Sequence, residues 1–165
     1  ATRMAVVFRV YAASGRFMSR PEKFALGDFI LQALQGRPVQ VNSSHAVWRS
    51  YVSVGQLMRL SWILLNEGKA PRPGFQRLDA CGPALELSEL GGEVAAELGV
   101  SLTPRRITSF ATDFYKGDAE AYAALLKRHG LAPLSLQKQI RDTVAGLQSS
   151  ESLASCQSFV NRMDL

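Results

Sequence analysis

Apolar residues along this chain come in two kinds of run. The stretch 4–11, MAVVFRVY, is β-branched and aromatic with almost no alternation, the pattern of a strand covered on both faces as in a parallel sheet. A second strand of the same buried type spans 75–80 and ends at Cys81-Gly82-Pro83. Between and after these strands the apolar residues recur at helical spacing. Phe24, Leu26, Phe29, Ile30, Ala33 and Leu34 predict a helix that Pro21 opens and Gly36 stops. Leu57, Leu60, Ile63 and Leu64 predict a second from about Val54, with Arg59 outward and Trp62 in the core or at an interface. Leu87, Leu90, Val94, Ala95 and Leu98 predict a third, closed by Gly99. Asp118 is placed to cap a fourth that ends near Arg128 and Gly130, and Ser135 a fifth with Leu136, Ile140, Val144 and Leu147 inward. Short strands are expected at 38–41 and 101–107, a turn at 42–45 and a loop at 66–74. From 148 the composition turns to serine and glutamine, so 1–147 reads as the folded part and 148–165 as a polar tail that frays.

Strand and helix in alternation, without an internal repeat, give an α/β or α+β class. Two strands of the doubly buried type do not make a parallel sheet by themselves, so the strands that should flank them are expected from outside the chain. The start, ATRMAVVFRV, runs almost at once into a strand and reads as entry into the middle of a larger protein.

One residue interrupts the apolar pattern in a telling place. In 47–65, VWRSYVSVGQLMRLSWILL, Arg49 enters an otherwise apolar strand and a helix follows immediately. A guanidinium fixed there needs a partner, because burying a lone charge costs several kcal/mol. That partner is either one of the chain's own carboxylates or an anionic ligand at a pocket wall. Small residues after the first strand, Ala12, Ala13, Ser14 and Gly15, let another group approach the backbone closely, as a ligand wall or as a plain tight connection.

Composition narrows the classes. With 165 residues, 47% of them hydrophobic, the chain suffices for one domain with a real core. No apolar run approaches a membrane span, and the chain is expected to be soluble and cytoplasmic. Cys81 and Cys156 do not make a disulfide framework or a metal site. The net charge of +5 raises nucleic acid as a partner, but the basic residues are spread out, with only pairs such as Arg105-Arg106, which argues against it.

Several blocks, in order, resemble the C-terminal half of an extended short-chain dehydrogenase/reductase of the NAD-dependent epimerase/dehydratase kind that acts on nucleotide sugars. The family's R-x-F-N-x-Y-G-P strand is similar to Arg9-Val10-Tyr11-Ala12-Ala13-Ser14-Gly15-Arg16. Its F-I-x-x-A-L-x-G-x-P-I-x-V block resembles 29–41, and G-D-G-x-x-x-R-D-F-V-x-V-D-D-L resembles 43–57, with Arg49, Val52, Val54 and Leu57 kept. Glu89-Leu90, then Asp113, Tyr115 and Asp118, then Ser135, Leu136, Ile140 and Thr143 match three later blocks.

The resemblance implies a specific architecture: the substrate-binding part of a Rossmann-type fold, carrying two strands of a parallel sheet whose rest is absent here, plus helices and short strands. It implies that Arg49 meets the substrate's diphosphate, that Arg105 or Arg106 helps, and that Tyr11, Ala12, Ala13 and Ser14 form the pocket wall. It implies NAD or NADP in the parent protein, none bound by this chain alone, with an N-terminal Rossmann half and a nucleotide sugar as partners. A homo-oligomer is the expected assembly, since uncovered apolar strand edges drive association. The family's asparagine is Ala12 here, its turn glycines are Ser43 and His45, and its aspartate pair is Gly55-Gln56. No G-x-x-G-x-x-G follows a strand, and no tyrosine has a lysine four residues on, the arrangement that lowers the phenol's pKa for proton transfer. No catalytic or metal-binding residue is therefore assigned. A binding or oligomerisation module that keeps only the closing half of the fold is the alternative.

Overall fold

A computed structural model describes residues 4–66 and 74–163, with side chains described for 5–66 and 76–149. Strand β1 (Met4–Val10) pairs in parallel with β4 (Gly74–Ala80), from Met4 opposite Gly74 to Val10 opposite Ala80. Among the described residues no further strand joins this pair, so both outer edges lack a neighbour. The expected incomplete parallel sheet is present. Val7 and Val10 remain exposed on a strand whose sequence is built for burial.

A second sheet is organised by β3 (Ala46–Ser53), the strand that carries Arg49. It pairs in parallel with β2 (Ala12–Ser14), antiparallel with β5 (Ala84–Glu86), and in parallel with β6 (Thr112–Tyr115). The predicted strands at 38–41 and 101–107 reduce to one bridge between Val39 and Leu102.

Among the described residues five α-helices surround these sheets: α1 (Ala25–Leu34), α2 (Val54–Asn66), α3 (Leu87–Leu98), α4 (Ala119–Arg128) and α5 (Leu136–Met163). Pro21 opens a 3-10 turn, Pro21–Lys23, and not α1 itself. Phe24 is the extended N-cap of α1 and lies exposed, so it leaves the apolar stripe assigned to it. Gly36, Gly99 and Gly130 follow α1, α3 and α4 with φ +70, the left-handed conformation that a residue without Cβ adopts most easily. Asp118 and Ser135 accept from Ala121 N at 3.0 Å and Lys138 N at 3.2 Å, as N-caps should. Helix α5 does not end at Leu147; it runs on through the stretch expected to fray. The loop expected at 66–74 lies, apart from its ends, outside the described residues.

The core has two centres. Leu26, Phe29 and Ile30 of α1 meet Leu90 and Val94 of α3, Ile140 and Leu147 of α5, and Tyr51 of β3. Leu60 and Leu64 of α2 meet Val52, Ala80, Tyr122 and Leu126 in the other. The second centre ties α2 and α4 to the end of β4. Trp62 belongs to neither centre: it is 69% exposed, which removes the core role and leaves an outward apolar stripe of Val54, Met58, Trp62 and Leu65 on α2.

Candidate functional site

Pairing of β2 with β3 places Ala12, Ala13 and Ser14 beside Tyr51, Val52 and Ser53, and α2 begins at the next residue. The small loop after β1 and the start of α2 thus become two walls of one hollow. It encloses about 780 Å³, within the usual range for small-molecule sites, and is completed by Val10, Tyr11, Phe17, Met18, Phe24 and Met58. Arg49, Arg16 and Asp142 are its charged lining.

Each wall is fixed by bonds that the local sequence does not announce. Ser14 is 2% exposed, with its hydroxyl 2.7 Å from Gln139 Oε1 and 3.2 Å from the Val52 carbonyl, while Gly15 N donates to Thr143 Oγ1 at 2.9 Å. The hydroxyl therefore fastens β2 to α5 and is committed to the wall. Tyr11 donates to Asp79 Oδ2 at 3.0 Å and accepts from Arg9 Nη1 at 3.1 Å. Its ring meets Tyr115 edge-on at 5.0 Å, and a Cβ on Gly117 would collide with it. Asp79 Oδ2 also accepts from Asp118 N at 3.2 Å, so the ends of β1 and β4 are clamped to the segment that leads into α4.

Arg49 occupies the hollow's edge with its side chain one-quarter exposed. Nη1 donates to the Trp48 carbonyl at 2.9 Å and reaches the Asp113 carbonyl at 3.5 Å, and Nη2 meets Asp113 Oδ2 at 2.5 Å. The hydrogen bond from Arg49, with the nearby charges of Arg49 and His45, holds the Asp113 carboxyl below its ordinary pKa. An ion pair and a pocket wall were the two readings of Arg49, and the side chain has both attributes.

Arg105 and Arg106 are placed elsewhere. Arg105 Nη2 donates to the His45 carbonyl at 2.7 Å and to Glu86 Oε1 at 3.0 Å, with its side chain 5% exposed. Its Nε and Nη1 are buried without an acceptor among the described residues. Arg106 is exposed. Neither lines the hollow, whose second cation is Arg16, a residue the sequence does not mark as part of a site. The signal available was its place directly after Gly15, whose φ of +131 turns the chain there. His45 takes part through its backbone, as donor to Ser43 Oγ and as acceptor from Arg105.

Two buried tyrosines, Tyr51 of β3 and Tyr122 of α4, have raised pKa values. Burial pushes Tyr51 up to about 12, and burial together with nearby Cys81 pushes Tyr122 up to about 12. The Cys81 thiol is itself raised, chiefly by burial. Among the described residues no group of three or more His, Cys, Asp and Glu side chains is arranged to hold a metal ion, and no helix is long and apolar enough to cross a membrane.

No family model matches this sequence, and no curated protein does. Solved structures match it by shape. UDP-glucuronic acid 4-epimerase from Bacillus cereus, in complex with UDP-glucuronic acid and NAD, superposes with a TM-score of 0.65 at 16% identity, over 87% of this chain and 45% of that one. The dTDP-glucose 4,6-dehydratase from Bacillus anthracis, in complex with NAD, gives 0.63 at 15% identity over 89% of this chain and 45% of that one. The fold is that of the C-terminal half of an extended short-chain dehydrogenase/reductase. UDP-glucose 4-epimerase from Thermotoga maritima with UDP-glucose agrees, at 0.58 and 15% identity over 89% of this chain and 46% of that one. The chain spans less than half the length of each of these solved structures.

Proposed function

We propose that this chain is the substrate-binding half of an NAD(P)-dependent oxidoreductase of the nucleotide-sugar epimerase/dehydratase type, and that the hollow takes the sugar nucleotide. The observation that carries the reading is the convergence of Arg49 with Tyr11, Ala12, Ala13 and Ser14 on one hollow, in a fold whose solved neighbours include epimerases holding UDP-sugars. Arg49 presents a planar fork able to engage two phosphate oxygens, and Arg16 supplies a second positive charge at the same wall. Arg105, with two nitrogens, Nε and Nη1, that no acceptor among the described residues meets, is a further anion-binding candidate beside the loop it anchors. Ala12 and Ala13 give the ligand close access to backbone without side-chain bulk.

Residues present here do not fit the dinucleotide. No G-x-x-G-x-x-G turn links a strand to a helix, and no tyrosine carries a lysine four positions on. NAD or NADP therefore belongs to an N-terminal Rossmann half, which would also flank β1 and β4 and cover the outward stripe of α2. A second copy of the chain is the other source of such cover. No hydride step is assigned to this chain's residues.

Calorimetric titration with UDP-glucuronic acid, and separately with glucuronic acid lacking the nucleotide, tests the reading. Binding is expected only for the compound that carries the diphosphate. Equal affinity for the two, or no heat from either, would contradict it.

A further inference from the structure

Asp113 is the residue whose placement the proposed role of Arg49 does not by itself explain. It stands on β6, a strand paired to β3 along one side and exposed at all of its residues. The parallel register sets Val47 opposite Asp113 and Arg49 opposite Tyr115, so the carboxylate comes from a neighbouring strand position to meet Nη2 of Arg49 at 2.5 Å. Its own side chain is about half exposed, at 49%, whereas that of Arg49 is at 25% and is tied by Nη1 to the Trp48 carbonyl. The two partners are thus unequally held: the cation is anchored to its strand, and the anion has open water beside it.

We propose that Asp113 is a tethered competitor for the Arg49 guanidinium, a built-in substitute for one ligand oxygen that a diphosphate displaces and a singly charged anion does not. This rests on the reading of Arg49 as an anion site and adds the residue that sets its selectivity. A carboxylate oxygen and a phosphate oxygen offer the same charge-assisted acceptor to a guanidinium. Held by β6 next to its partner, the carboxylate acts at a high effective concentration, so an incoming ligand must bring more charge or more contacts than one carboxylate does. Displaced, Asp113 returns to water with little penalty, because an exposed ion pair gains little over solvation in the first place. The exchange also has a reporter. Trp48, next to Arg49, stacks on Phe114, next to Asp113, with ring centroids 6.3 Å apart and planes 22° apart. Movement of Asp113 away from Arg49 alters that stack.

The test uses the 165-residue chain with Trp62→Phe, which leaves Trp48 as the one tryptophan, and follows its fluorescence during titration with inorganic pyrophosphate and with acetate. Circular dichroism confirms that each variant is folded, and Asp113→Ser serves beside Asp113→Asn so that the result does not depend on the amide. Both are expected to bind pyrophosphate about three- to fivefold more tightly than the parent, from the free energy of a typical exposed ion pair. Both should also take acetate with a smaller penalty relative to pyrophosphate. Glu22→Gln removes one negative charge at an exposed position of the 3-10 turn and should leave both affinities unchanged. If Glu22→Gln tightens pyrophosphate as much as Asp113→Asn, the effect is net charge and the competition is refuted. If Arg49→Ala weakens pyrophosphate binding while the Asp113 variants bind no more tightly than the parent, the competition fails and Arg49 stands as the anion site. If Arg49→Ala has no effect on pyrophosphate either, the anion reading of Arg49 falls and the competition with it.

Discussion

Arg49→Ala is expected to weaken binding of UDP-glucuronic acid by about 10- to 100-fold, since hydrogen bonds to a charged group contribute about 1.5–3 kcal/mol each. Calorimetry on the 165-residue chain measures this directly. The fold should tolerate the change, because Asp113 is half exposed and its loss of a partner leaves a carboxylate that water solvates. Arg49→Lys separates charge from geometry. An ammonium restores the charge but not the planar fork, so it should recover part of the affinity. Full recovery would mean that only the charge matters, and no loss in Arg49→Ala would remove the arginine from the site.

The second large effect is on stability, at Glu86. This carboxylate is the N-cap of α3 and accepts from Ser88 N at 2.6 Å, from Val47 N at 3.1 Å and from Arg105 Nη2 at 3.0 Å. Glu89 completes the capping box by accepting from Glu86 N at 3.1 Å. One side chain thereby joins α3, β3 and the 101–107 segment. Glu86→Ala leaves the Arg105 guanidinium, 5% exposed, without its counterion and should cost about 3–5 kcal/mol, or a fall in Tm of roughly 10 °C for a chain of this size. Glu86→Gln keeps acceptor capacity and should lose less. Burial alone would raise the Glu86 pKa, but hydrogen bonds from Ser88, Val47 and Arg105 outweigh it and hold the group below its usual 4.5. A carboxyl depressed in the folded state contributes stability that is complete above the unfolded value and lost as pH falls through the folded one. The difference in Tm between the parent chain and Glu86→Gln should therefore be constant from neutral pH down to about 4.5 and shrink below it. A gap that widens on acidification would show that Glu86 is not held as an ion.

Much of the architecture is legible in the sequence because burial on a regular element leaves a period. Strand β1 declares itself by a nearly unbroken β-branched and aromatic run and the inward faces of α1, α2, α3 and α5 by 3.6-spaced apolar residues, and Arg49 stands out as a charge against that background. The short strands β2, β5 and β6 do not, since three or four residues carry no period and owe their conformation to pairing with β3. Trp62 misleads for a related reason: helix α2 is apolar on two sides, and one of them is covered by nothing among the described residues. The partners at the site were hidden too. Asp113 is 64 positions from Arg49 and Gln139 is 125 from Ser14, separations that only the folded chain closes. What sequence could not order was the basic residues, because Arg16, Arg105 and Arg106 look alike until their neighbours are known.

Chemical-shift mapping of the isotope-labelled chain during addition of UDP-glucuronic acid asks where the ligand sits. Shifts concentrated at 11–16, at Arg49 and at 53–55, absent when glucuronic acid alone is added, are what a diphosphate lodged in this hollow would produce. Shifts confined to other surfaces, or a spectrum indifferent to the nucleotide, would mean that the hollow is not the substrate site.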